Sequence, residues 1–258
     1  MDIPLVKVAD LYEQKRYKPV TESLKLSLIE RLQWNFDSFV HNDRTLCDIL
    51  TTLHNQSASL VVFGGWVRDH IYSYMSQQNF QPRDIDIVVD GLDFHQLQQL
   101  LPSDSKVNIF GGFSIENSTT KIDIWLLKNT YLIEKFSLEQ KFETLPQTTV
   151  FRINSIIFKP KQLWLVPDIY DLGCIDALEH KVLDFQSCFI PFPEIQVARA
   201  LIYSVKLNLT LKPEITDFIK MICNSEDAFS NLTNNLLTNC PEHLVTNCIN
   251  LLKTITNY

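Results

Sequence analysis

An apolar run that ends in a double glycine, followed by two aspartates alternating on a strand, constrains this chain more than any other feature. Phe63-Gly64-Gly65-Trp66-Val67-Arg68-Asp69 reads as a buried strand turning through glycines into a helix. Arg83-Asp84-Ile85-Asp86-Ile87-Val88-Val89 reads as the next strand. Residues two apart on a strand point to the same face, so Asp84 and Asp86 present their carboxylates together. The glycines, Gly64 and Gly65, allow the backbone a close approach, and amides at a helix N-terminus face an anion. Two carboxylates on one rigid strand beside such a turn can hold Mg²⁺ against a triphosphate. Arg68, one helical turn on, can reach a phosphate as a charge-assisted donor; the competing reading is a surface residue paired with Asp69.

Phosphoryl-type transfer asks a protein mainly for positioning and charge neutralisation. In a two-ion arrangement one ion activates the attacking hydroxyl and the other stabilises the leaving group. Two carboxylates hold such a pair poorly, so a third is expected from a neighbouring strand. Asp123, in Lys121-Ile122-Asp123-Ile124-Trp125-Leu126-Leu127, is the candidate, because an acid inside an apolar strand is costly unless it is paired or binds metal. Its competing reading is an edge-strand acid facing water. Asp84, Asp86 and Asp123 are thus the expected catalytic and metal-ligating residues of a two-ion Mg²⁺ site.

At 258 residues and 45% hydrophobic content the chain can bury a real core. A formal net charge of -7 argues against a surface coated with phosphate-binding charge, although a local basic groove would suffice for an enzyme acting on RNA. The six cysteines form no Cys-x-x-Cys pair, so buried reduced thiols are expected. Cys240, His243 and Cys248 match no common zinc spacing. No apolar run approaches the ~20 residues of a membrane span, and Met1-Asp2-Ile3-Pro4 does not read as a signal peptide. A cytoplasmic location is expected.

Helical spacing of Leu24, Leu28, Leu32, Phe36 and Phe39 predicts a helix over 21–40 with Thr21 as its cap, and a second helix carries Leu46, Ile49, Leu50 and Leu53. Strands are expected at 60–63, 84–89, 107–110, 113–116 and 121–127, with Gly111-Gly112 as a hairpin turn. A later strand pair is expected at 150–158 and 162–166. From Pro193 the pattern is helical, with Pro213 and Pro241 near helix starts. The fold class is α/β, or α+β: a small mixed β-sheet with N-terminal helices and a short helical C-terminal domain. The expected domains are an N-terminal helical extension over 1–55, a head over 56–168 and a helical neck-like domain over 169–258.

Taken together, these motifs resemble the head domain of the poly(A) polymerase and CCA-adding enzyme family found in bacteria and eukaryotes. Its Gly-Gly-x-Val-Arg-Asp pattern matches Gly64 to Asp69, and its Asp-x-Asp strand matches Asp84 to Asp86. Later motifs are eroded. Phe151-Arg152-Ile153-Asn154-Ser155 stands for Arg-Asp-Phe-Thr-Ile-Asn-Ala, and Gly173-Cys174-Ile175-Asp176-Ala177 for Gly-x-x-Asp-Leu. In the neck motif Gln196 replaces an arginine, while Arg199 survives. The resemblance covers residues 58–210. It implies a nucleotidyltransferase head with Gly64, Gly65 and Arg68 on the triphosphate and Asn154 and Arg199 lining the sugar or base pocket. It also implies NTP as substrate and an RNA 3′ end, tRNA-like, as acceptor. Arg152, on the strand expected to carry Asn154, is a candidate to replace a lost arginine. Two other readings stay open: transfer to a protein or small molecule, supported by the acidic balance, and a non-catalytic nucleotide- or RNA-binding module.

Overall fold

The structure is a computed structural model that describes residues 3–8, 17–80, 82, 84–117, 120–162 and 165–257. In chain order it contains β1 (Leu5–Lys7), α1 (Glu22–Asn42), α2 (Arg44–Asn55), β2 (Ser59–Phe63), α3 (Gly65–Ser76), β3 (Asp84–Asp90), α4 (Phe94–Leu100) and β4 (Lys106–Val107). It continues with β5 (Phe113–Glu116), β6 (Lys121–Leu126), α5 (Tyr131–Lys135), β7 (Ile156–Lys159), β8 (Asp168–Asp171) and α6 (Cys174–Glu179). Last come β9 (Val182–Leu183), β10 (Phe189–Pro191), α7 (Pro193–Leu207), β11 (Thr210–Leu211), α8 (Pro213–Ile222), α9 (Glu226–Asn239) and α10 (Glu242–Thr256). The chain divides into two units, one of Lys18–Thr149 with Asn154–Ile175, the other of Met1–Tyr17, Val150–Ile153 and Asp176–Tyr258.

The larger unit holds a seven-stranded mixed sheet in the order β4-β5-β6-β3-β2-β7-β8, with β3 and β6 parallel and the other pairs antiparallel. Directly opposed residues share a face. Phe113, Ile124, Ile87, Val62, Phe158 and Ile169 therefore form one row across the sheet. Helices cover this face: Phe36 of α1 packs edge-on against Phe158 at 6.1 Å and against Trp66 of α3 at 6.2 Å. Thr21 caps α1 by accepting from the Leu24 amide, and Asp43 caps α2 through the Leu46 amide at 3.0 Å. On the opposite face Val61, Val88, Leu127, Ile133, Leu145 and Ile157 form a second apolar cluster under α5 and the 3₁₀ turn Phe142–Thr148.

In the smaller unit β1 pairs with β10, β9 with β11, and α7 to α10 pack together. Pro213 opens α8 and Pro241 caps α10, where a missing amide proton costs no helical bond. One two-stranded sheet thus interrupts, at 210–211, what the sequence predicts as helix alone, since β11 pairs there with β9.

Three expected strands differ. The strand at 107–110 stops at Val107, because the Asn108 side-chain carbonyl takes the amides of Phe110 and Gly112, and Ile109 and Phe110 stay exposed. The strand at 150–158 is broken by a 3₁₀ turn, Arg152–Asn154, before β7 begins. The partner of β7 is β8 rather than 162–166. Gln162 instead bonds through its side-chain amide to the backbone of Leu60, and Leu165 and Val166 are exposed; Leu163 and Trp164 lie outside the described residues. Parts of the N-terminal extension (1, 2 and 9–16) also lie outside them, as do Gln81 and Arg83 beside the aspartate strand. Four of the cysteines are buried as expected, whereas Cys47 is exposed and Cys188 half-buried. None of the described helices is long and apolar enough to cross a membrane.

Candidate active site

The carboxylates assemble on the sheet face opposite α1 and α3. Asp86 on β3 stands opposite Asp123 on β6 and, on its other side, opposite Phe63 at the end of β2. Ser114 on β5 stands opposite Asp123, so Ser114, Asp123, Asp86 and Phe63 form one row. The next row toward the strand end contains Glu116, Lys121 and Asp84. On the other side, Val61 and Val88 begin the apolar cluster, and Phe63 packs edge-on against Trp125 at 6.1 Å. The three aspartates therefore sit where the apolar face gives out at the end of the strands. Asp84 is exposed and Asp86 and Asp123 are half-buried. β6 lies between β5 and β3, so Asp123 is not on an edge strand.

Asp123 is held from two sides. The Ser114 hydroxyl donates to its Oδ1, and Lys121 Nζ lies 2.9 Å from its Oδ2. Lys121 is held above the ordinary lysine range: the hydrogen bond to Asp123 raises it, partial burial opposes, and the charges of Asp123, Asp84 and Asp86 add to the rise. The side chain that feels all three carboxylates thus reports a strongly negative patch. Neither Lys121 nor Ser114 is among the residues that sequence reading selects. The signal was present, since each shares a strand face with Asp123 by alternation or pairing, but the pairing of β5 with β6 is not readable before the sheet is known.

Gly64 ends β2 with φ 62° and ψ -110°, a conformation that a side chain would strain. Its amide donates to the Ile156 carbonyl at 3.1 Å, which ties the turn to the start of β7. Arg68 is not a surface residue. It is 4% exposed, as is Asp69, and its Nε and Nη2 each lie 2.7 Å from Asp69 Oδ1. Its Nη1 donates to Asn154 Oδ1 at 2.5 Å. Arg68 thereby clamps the glycine-opened helix to Asn154, and a Cβ on Gly65 would lie 3.7 Å from Arg68 Nη2.

Arg152 is buried and belongs to the smaller unit, where its guanidinium lies 3.8 Å from Asp184 and its amide donates to the Asp184 carbonyl. The 3₁₀ turn removes it from the strand on which the sequence places it, and its charge is matched by Asp184. In α7 of the same unit Gln196 is buried and Arg199 is exposed. Among the described residues the acidic and histidine group whose ligand atoms lie within 4.8 Å of one another is Asp176, Glu179 and His180, on α6 and just beyond it; Asp84, Asp86 and Asp123 do not lie that close, and Cys240, His243 and Cys248 take no part. Cys240 and Cys248 face each other with sulfurs 3.8 Å apart.

No protein-family model matches the sequence, and no curated protein matches it. Solved structures do. A CCA-adding enzyme in complex with ATP is similar at TM-score 0.53 and 16% identity, over 98% of this chain and 56% of that one. The chain has the nucleotidyltransferase fold. A tRNA-processing enzyme in an apo form reaches TM-score 0.54 at 15% identity over 80% of this chain and 58% of that one. The Thermotoga maritima CCA-adding enzyme complexed with tRNA reaches 0.50 at 16% identity, over 98% and 55%. The chain thus spans little more than half the length of each of these enzymes.

Proposed function

We propose that this protein transfers a nucleoside monophosphate from an NTP to the 3′ hydroxyl of an RNA, tRNA-like in kind, and releases pyrophosphate. The observation that carries the reading is the meeting of Asp84, Asp86 and Asp123 on one sheet face beside the Gly64-Gly65 turn. The donor set, three carboxylates, fits Mg²⁺, a hard cation that prefers carboxylate oxygens and substrate phosphates. Two Mg²⁺ ions, when bound, would supply charge neutralisation at the triphosphate and acidify the attacking hydroxyl. In the reaction the acceptor oxygen bonds the α-phosphorus, the bond from that phosphorus to the bridging oxygen breaks, and the hydroxyl proton passes to solvent or a carboxylate.

The chain's own residues divide this work. Asp84 and Asp86 would bind the ions. Asp123, oriented by Ser114 and Lys121, would complete the set on the acceptor side. The amides after Gly64 would face the triphosphate, and Arg68, fixed behind them by Asp69 and Asn154, would hold the turn in shape and add positive charge. The formal net charge of -7 favours a second reading of the acceptor, a protein or small molecule in place of RNA. Incubation with each labelled NTP, Mg²⁺ and total RNA separates them. The proposal expects label in RNA, and label in protein or a small molecule favours the second reading. No label and no pyrophosphate with any NTP contradicts transfer altogether.

A further inference from the structure

On the helical side of the sheet, away from the carboxylate row, α1 and α3 enclose a cavity of about 710 Å³. That volume lies within the range of small-molecule sites, roughly 300–1,000 Å³. Its walls follow from helical spacing. Arg31, Asn35, Ser38 and Asn42 recur at three- and four-residue intervals on α1, so they form a stripe beside the buried Leu28, Leu32 and Phe36. His70 and Tyr74 face them from α3 at the same interval.

Two large aromatic rings lie open to solvent here: Trp34 is 62% exposed and Tyr74 is 45% exposed. The Arg31 guanidinium sits 5.2 Å from the Trp34 ring, which orients the indole and adds charge beside its face. His70 packs edge-on against Trp66, and its Nε2 is buried with no hydrogen-bond partner, an arrangement that calls for an explanation. Stacking faces, a guanidinium and neutral amides together match a flat heterocycle with donors and acceptors on its edge.

We propose that this cavity binds a nucleobase, stacked on Trp34 and Tyr74 and read along its edge by Asn35, Ser38 and Asn42. Its lining includes Pro82, two residues ahead of Asp84, and Thr120, immediately ahead of Lys121. The cavity therefore reaches the end of the strands that also bears the carboxylates, on the other face of the sheet, and a strand whose terminus is extended there has a base within reach of it. That placement rests on the proposed transfer reaction; the base-binding chemistry does not. The base can come from an RNA strand or from a free nucleotide.

The test uses the full chain without divalent metal and with EDTA, so that the carboxylate site takes no triphosphate. Binding of adenosine, of a six-nucleotide adenylate RNA and of an abasic ribose-phosphate hexamer is measured by calorimetry. The proposal expects the RNA hexamer to bind, the abasic hexamer to bind far more weakly, and Trp34→Ala and Tyr74→Ala each to weaken binding by about tenfold or more. Both rings are exposed, so both variants keep the native far-ultraviolet circular dichroism. Adenosine binding that is lost in the same variants identifies a free nucleotide as the source, and binding of the hexamer alone identifies a strand. Equal affinity for the abasic hexamer, unchanged affinity in both aromatic variants, or no binding of either base-containing probe overturns the proposal. Failure of the transfer reading appears separately, as absence of labelled product in the presence of Mg²⁺.

Discussion

Asp86 and Asp123 stand directly opposite each other on neighbouring parallel strands, so their carboxylates come from different parts of the chain yet share one rigid row. Ser114 extends that row and donates to Asp123. Asp123→Asn is expected to lower turnover by about a hundredfold or more, since it removes the carboxylate charge and changes the partner of Lys121. Ser114→Ala is expected to cost less than about tenfold, through looser orientation alone. Steady-state kinetics with each purified variant provide the check. A larger loss in Ser114→Ala than in Asp123→Asn would contradict the assigned roles.

The Arg68–Asp69 pair is buried on both sides, and Asn154 completes it. Asp69→Asn takes from the buried guanidinium the carboxylate that its Nε and Nη2 both reach, which costs about 3–5 kcal/mol. Replacing both residues, as in Arg68→Met with Asp69→Asn, removes the stranded charge and is expected to be less destabilising than Asp69→Asn alone. Denaturant midpoints of the wild type, the single and the double variant test this. A single variant within about 1 kcal/mol of wild type would show that the clamp contributes little.

The outline of the fold was legible because its signals are local. Thr21 before a run spaced at helical period, and alternation through Asp84 to Val89, each carry their meaning within a few residues. What was not legible depends on distant partners. Arg68 bonds to Asn154, 86 residues away, a contact contained neither in its reading as a phosphate donor nor in the competing reading of a surface residue paired with Asp69. The hairpin partner of β7 was misplaced because Gln162 pairs with β2 through its side chain, leaving the pairing to Asp168–Asp171. Arg152 was placed on a strand because apolar residues flank it, whereas a 3₁₀ turn and Asp184 settle its position. Among the candidate site residues, Asp84, Asp86 and Asp123 were readable as acids inside apolar strands, and Lys121 by alternation with Asp123; Ser114 required the sheet.

His70 introduces a pH dependence. Burial lowers its pKa to about 4; the nearby Asp69 charge opposes this shift and Arg31 adds to it. Above the ordinary value of 6.5 the imidazole is neutral in both folded and unfolded chains and contributes nothing. Between 6.5 and about 4 the unfolded chain takes up the proton and the folded chain does not, so stability falls as pH falls. The loss is up to about 3 kcal/mol, less what residual solvent screening removes. His70→Phe is expected to flatten the slope of unfolding free energy in that window. An unchanged slope would show that other groups govern acid stability.

The most direct test of the account is turnover by Asp84→Asn and Asp86→Asn with Mg²⁺, labelled NTP and RNA, alongside far-ultraviolet circular dichroism and denaturant unfolding. Asp84 is exposed and Asp86 half-buried at the strand end, so both variants are expected to keep the native fold and midpoint. Transfer is expected to fall by at least about a thousandfold in each, the loss of roughly 4 kcal/mol of transition-state stabilisation. Near-normal turnover in either folded variant would contradict the claim that this carboxylate row performs the chemistry.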